Sequence, residues 1–172
     1  MTCNICPNYC KSDIDTICKQ NPQYDDENVI DAASVAIDPI EKKPLYHYLP
    51  GTKTLSIGTV GCNLNCMNCQ NHTIARPENA LIVPTKSYTP EQIVQKAIDN
   101  DIPSISWTYN EPTIHPKWII NTSHLAKEYD IKTILVTNGY TSQETLDNLL
   151  EYVDAVNVDI KSLDDAFYKN VC

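Results

Sequence analysis

Three cysteines, Cys62, Cys66 and Cys69, stand at C-x3-C-x2-C directly behind an apolar, β-prone run over residues 53–60. This order constrains the chain more than any other feature: a strand must deliver the loop, and the loop must hold something that takes three thiolates. Three thiolates with no fourth Cys close behind them can bind three irons of a four-iron, four-sulfur cube and leave the last iron open to an outside ligand. A closed zinc site would want four ligands in two pairs, and a disulfide framework an even number of cysteines. The spacing therefore favours an iron–sulfur cluster, with three ordinary buried thiols as the plain alternative.

From residue 53 onward strand and helix alternate as in an α/β parallel sheet. Strands are expected over 54–60, 104–109, 133–137 and 155–160. Between them, Thr89-Pro90-Glu91-Gln92 reads as a helix start with Thr at the N-cap, Pro at the first helical position and Gln at the third. A helical period runs from 116 to 129, Thr141 with Glu144 forms a capping box, and a short helix is expected over 164–171. In such folds ligands bind at the carboxyl ends of strands, and Cys62, Glu111, Asn138 and Lys161 each lie just past one. They are expected to converge. Alternation places Asp159 on the same face as Lys161.

Residues 1–22 are a second cysteine-dense segment: Cys3, Cys6, Cys10 and Cys18 at C-x2-C-x3-C-x7-C. Four soft ligands in a stretch too short to bury a core suit a metal staple, zinc or a second iron–sulfur cluster, against unmetallated thiols as the plain reading. Residues 23–50 read as a polar connector with a short strand pair, and 51–172 as the main domain; turns are expected through Pro77 and Pro84. His47, between Tyr46 and Tyr48, reads as a packed histidine, and Cys172 as a residue without a role.

The 172 residues carry 13 basic and 22 acidic side chains, a net charge of −9, which repels phosphate backbones and anionic lipid. Nucleic acid and membrane are not expected partners, and no apolar run approaches the roughly 18 residues that span a bilayer. With no export signal at the N-terminus a cytoplasmic location is expected, and there eight cysteines point to metal rather than disulfides.

Gly58-Thr59-Val60-Gly61-Cys62, running into Cys66 and Cys69-Gln70-Asn71, resembles the radical S-adenosylmethionine (SAM) superfamily, in particular its activating-enzyme branch. Within that branch the chain is similar to the activases of glycyl-radical enzymes such as pyruvate formate-lyase. It is also similar to the AmmeMemoRadiSam radical SAM proteins, through Asp38-Pro39-Ile40-Glu41-Lys42-Lys43-Pro44-Leu45-Tyr46-His47 and the following Pro50-Gly51. The resemblance covers essentially the whole chain. It implies an oxidoreductase of the (β/α)6 barrel type, of which about four units are present here, with a 4Fe-4S cluster on Cys62, Cys66 and Cys69 and SAM on its open iron.

By the same resemblance, Asn110-Glu111-Pro112 stands where the superfamily carries Gly-Gly-Glu-Pro, which holds the SAM amino group. Thr137-Asn138-Gly139 matches a segment near the ligand, and Asp159 and Lys161 match a pair that meets the SAM carboxylate. No side chain is implied as acid or base. The implied reaction cleaves SAM to methionine and a 5′-deoxyadenosyl radical that abstracts a hydrogen. Its implied partners are an electron donor such as ferredoxin or flavodoxin, a protein substrate, and a carboxy-terminal complement supplying the remaining units. Two positions depart from the pattern: Asn68 where a large apolar residue lies against adenine, and Val136 where an Asp precedes the Thr-Asn-Gly segment. Two other classes fit the cysteines, an electron-transfer protein without turnover and a zinc-stabilised interaction module.

Overall fold

The computed structural model describes residues 2–11, 16–18, 26–76 and 83–172. Its centre is a five-stranded sheet in the order β2-β3-β5-β6-β7, formed by β2 (Ser34–Pro39), β3 (Lys53–Gly58), β5 (Ser104–Trp107), β6 (Lys132–Thr137) and β7 (Ala155–Val158). β2 runs antiparallel to β3; β3, β5, β6 and β7 are parallel to one another. The helices between them are α1 (His72–Ala75), α2 (Pro90–Asp99), α3 (Pro116–Glu128), α4 (Gln143–Leu150) and α5 (Asp165–Val171). The four expected βα units are present, each strand within a few residues of its expected bounds. Pro77 lies outside the described residues.

Alternation along the strands separates two chemistries. Leu55, Ile57, Ile105, Trp107 and Leu135 belong to one apolar core with Ile93 and Val94 of α2 and Trp118 and Ile119 of α3. The indoles of Trp107 and Trp118 meet edge to face at 6.4 Å, a favoured aromatic geometry. The opposite side of β3 and β5 carries small hydroxyl residues, Thr54, Ser56, Ser104 and Ser106, all buried. Thr54 donates to Ser104 O at 3.1 Å and lies 2.6 Å from Ser106 Oγ. Near Ser56, Asp38 accepts from Lys42 Nζ at 2.8 Å, Lys43 Nζ at 3.0 Å and the Tyr109 hydroxyl.

The connector forms two strands, but not as a pair. β1 (Ile30–Ala32) joins β4 (Lys86–Tyr88) in a separate antiparallel ribbon, while β2 adds to the main sheet. Only Ala33 separates β1 from β2, and one residue cannot turn a strand back on itself as a two-residue hairpin loop does. His47 also differs from expectation: it is exposed, in a bent segment rather than a strand.

The helix starts follow local chemistry. Thr89 caps α2 in a full capping box, with Gln92 N donating to Thr89 Oγ1 at 3.3 Å and Thr89 N to Gln92 Oε1 at 3.1 Å. For α4 the cap is Ser142, not Thr141, with Thr145 N donating to Ser142 Oγ at 3.2 Å. Both members of the expected box are engaged elsewhere. Thr141 Oγ1 donates to Ile5 O at 3.0 Å and Glu144 accepts from Asn4 Nδ2 at 2.8 Å, so they anchor the amino-terminal segment. Among the described residues no helix is long and apolar enough to cross a membrane.

Candidate metal and cofactor site

The loop from Thr59 to Asn71 leaves the carboxyl end of β3 and is held from below by the ends of β5 and β6. Asn110 uses its whole side chain for this: Oδ1 accepts Thr59 N at 3.0 Å, and Nδ2 donates to Thr59 Oγ1 at 2.7 Å and Gly61 O at 2.8 Å. Gly61, with φ +96°, makes the turn into Cys62 in a region that favours glycine. Asn71 Nδ2 donates to Tyr109 O at 2.7 Å, and Arg76 donates to the carbonyls of Asn65 and Cys66, tying the far side of the loop.

Cys62 receives two N–H···S contacts, from Leu64 N at 3.5 Å and Asn138 Nδ2 at 3.8 Å. Burial pushes its thiol up to about 12, and the nearby charges of Glu111, Cys66 and Cys69 add to the rise. A thiol so placed does not ionise by itself at neutral pH; a bound cation supplies the compensating charge, because coordination deprotonates a thiol outright. Burial also raises Cys66, and the neighbouring Cys172 thiol adds to it. Among the described residues no three His, Cys, Asp or Glu side chains surround the position of a single metal ion. A four-iron cube is a larger body than one ion, and a loop of three thiols with N–H donors aimed at sulfur fits it.

Glu111 lies beneath this loop, 1% exposed. Oε1 accepts from Thr113 N at 3.0 Å and Thr137 Oγ1 at 2.6 Å, and Oε2 from Asn138 N at 2.7 Å. Burial raises its carboxyl and these three donors pull it back, with a net rise. Asn138 in turn donates to Asn63 Oδ1 at 2.9 Å. Lys161 pairs with Asp159 and lies near Cys66 and Cys69; burial lowers its ammonium, the Asp159 carboxylate raises it, and the net is a rise. Asn110, Glu111, Asn138, Asp159 and Lys161 are thus gathered with the three cysteines at one end of the sheet.

Two groups escaped the sequence reading. Asn63, which also donates to Tyr140 O at 2.6 Å, accepts at its carbonyl from Asn8 Nδ2 at 2.9 Å and has its side chain beside the Cys6 thiol. Cys172, read as having no role, lies against Cys66. An Asn inside a cysteine loop was a weak signal for the first; nothing local marked the second. In the amino-terminal segment, Cys3, Cys6, Cys10 and Cys18 line one cavity together with Ile114. Burial raises the Cys6 thiol, and the charges of Cys18 and Cys3 raise it further. The segment docks on the main domain through Ile5 O, which accepts Ser142 N at 3.0 Å as well as Thr141 Oγ1.

Comparison with known proteins agrees with this arrangement. Residues 56–172 match the family described as the Radical SAM superfamily. An uncharacterised protein of Methanocaldococcus jannaschii, MJ0808, is 40% identical over 99% of this chain and 52% of its own length. The pyruvate formate-lyase-activating enzyme of Clostridium pasteurianum is 29% identical over 70% of this chain and 50% of its own. The chain thus spans about half the length of these relatives. The crystal structure of QueE from Escherichia coli superposes with a TM-score of 0.54 at 12% identity, covering 84% of this chain and 78% of that one, a likeness of fold. The family's cofactors are an iron–sulfur cluster and SAM, and the chain, matched over residues 56–172, belongs to the radical SAM superfamily alongside the activating enzymes.

Proposed function

We propose that this chain is the amino-terminal part of a radical SAM enzyme of the activating type, which acts on a hydrogen of a partner protein. The observation that carries this is the double use of Asn138. Its side chain reaches Cys62 Sγ while its backbone N–H is held by Glu111, so the thiol loop and the residues matched to SAM binding form one rigid body. Cys62, Cys66 and Cys69 would hold the 4Fe-4S cluster. When bound and reduced, that cluster supplies the electron that cleaves SAM to methionine and a 5′-deoxyadenosyl radical. The protein's part is to bind, orient and exclude water. Glu111 and the Asn110 backbone offer acceptors to the SAM ammonium, and Lys161, steadied by Asp159, a cation to its carboxylate. Exposed Lys161 marks the side open to solvent, where an electron donor such as ferredoxin or flavodoxin would approach.

The four cysteines lining the amino-terminal cavity would hold a second centre, which fixes a segment otherwise too small to keep its shape; since no three of them surround the position of a single ion, an iron–sulfur cluster fits better than zinc. Further βα units would add at β7. This strand has no partner on its outer edge among the described residues, and Val158, Ile160 and Leu163 nearby are 51%, 65% and 100% exposed. An open strand edge beside apolar side chains invites pairing. The chain alone therefore binds SAM weakly and couples its cleavage poorly. The test is to incubate the reduced protein with SAM, with and without the longer relative's carboxy-terminal portion and candidate partner proteins, and to compare 5′-deoxyadenosine with modified product. Uncoupled 5′-deoxyadenosine from this chain, with coupling restored by the added portion, is the expected result. Tightly coupled turnover by the chain alone would overturn the view that further units are needed. No SAM cleavage under any condition would favour an electron-transfer protein.

A further inference from the structure

The carboxyl end of α5 is bound to the cysteine loop on both sides of Cys66. Asn65 N donates to Cys172 O at 2.7 Å and Met67 N donates to Val171 O at 2.8 Å. The Cys172 thiol lies beside the Cys66 thiol, and both residues are half-buried, with no disulfide between them. Met67, next to Cys66, is 70% exposed, so this side of the loop faces solvent. A loop that supplies three sulfurs is thus accompanied by a fourth, held by two backbone hydrogen bonds rather than by chance proximity.

We propose that Cys172 is a fourth thiolate of the iron–sulfur site, binding the iron that Cys62, Cys66 and Cys69 leave open while SAM is absent and yielding it when SAM binds. This rests on the assignment of the three-cysteine loop as a cluster site. Thiolate is the ligand type that iron–sulfur clusters select. On binding, the Cys172 thiol gives its proton to solvent; on leaving it takes one back, and no electron moves. The benefit to the protein is retention of the labile iron on a solvent-facing loop. α5 acts as the arm that sets the sulfur in place.

The experiment compares wild-type chain with Cys172→Ala, both reconstituted anaerobically, with the triple variant Cys62→Ala/Cys66→Ala/Cys69→Ala as the background for iron held elsewhere. Mild oxidation with ferricyanide removes one electron from the cube. An uncapped cube then releases one Fe2+ and leaves a three-iron cluster with its own EPR signal, whereas a capped one retains the iron. Without SAM, Cys172→Ala is expected to give a several-fold larger three-iron signal than wild type. Mössbauer spectra of isotope-enriched, unoxidised protein provide a second readout: one iron should be resolved from the other three in Cys172→Ala and not in wild type. Equal three-iron yields and identical spectra from two iron-loaded proteins would overturn the role of Cys172 alone. Iron contents no higher than that of the triple variant, seen before any oxidation, would overturn the loop assignment and this proposal with it.

Discussion

Glu111 and Asn138 are joined across neighbouring strand ends: Oε2 of the carboxylate accepts the Asn138 backbone N–H at 2.7 Å, while the Asn138 side chain reaches Cys62 Sγ at 3.8 Å. The carboxylate accepts from three donors in all, two of them backbone amides on opposite oxygens. Glu111→Gln therefore fails as an isosteric change. Whichever way the new amide turns, its NH2 faces either Asn138 N–H or Thr113 N–H. A buried donor without an acceptor costs about 1–3 kcal/mol. The expected outcome is a lower denaturant midpoint and reduced iron loading in Glu111→Gln, read by chemical unfolding and iron analysis; a variant equal to wild type in both would show that Glu111 does not hold the loop.

Asp38 joins Lys43, which is 1% exposed, to Lys42 and Tyr109. Burial alone would raise its carboxyl, but the hydrogen bonds from Lys42, Tyr109 and Lys43 hold it well below its ordinary 3.8. Removing one partner of a buried pair leaves the other charge uncompensated, so Asp38→Asn should cost about 3–5 kcal/mol. Lys42→Ala, which removes a 64% exposed partner, should cost no more than about 1 kcal/mol. The pH dependence has a definite sign. A carboxyl lowered by folding contributes stability at pH above 3.8 and loses it as pH falls below that value, where the unfolded chain takes up the proton first. Denaturant titrations at stepped pH should show a steeper acid decline in wild type than in Asp38→Asn; parallel declines would contradict this.

Gly58 ends β3 beneath Tyr109. A Cβ there would lie 2.7 Å from Tyr109 Cδ2, closer than side-chain carbons pack. Tyr109 itself has φ +75° and its carbonyl accepts from Asn71, so moving it disturbs the loop's far anchor. Overpacking of this kind costs typically about 1–3 kcal/mol. Gly58→Ala should lower thermal stability and weaken iron retention together, and unchanged melting would show that Tyr109 gives way freely.

What the sequence made legible is what local chemistry decides. The parallel strands, the Thr89–Gln92 capping box and the C-x3-C-x2-C loop all follow from residues near one another in the chain. Their convergence at one sheet end follows from the parallel topology itself. The docking of the amino-terminal segment was not legible, because Thr141 and Glu144 look like a capping box until Ile5 and Asn4 arrive from more than a hundred residues away. β1 and β2 were legible as strands but not in their pairing, since the partner of β1 lies beyond the cysteine loop. Cys172 carried no pattern at all; only the fold brings it to Cys66.

The central claim is that Cys62, Cys66 and Cys69 hold a cluster with an iron available to SAM. The most direct measurement is the EPR spectrum and iron content of reduced, anaerobically reconstituted protein, with and without SAM, beside the triple variant Cys62→Ala/Cys66→Ala/Cys69→Ala. Wild type should hold about four irons more than the triple variant, and its reduced signal should change on addition of SAM. Equal iron contents in the two proteins, or a reduced signal that SAM leaves unmoved, would contradict it.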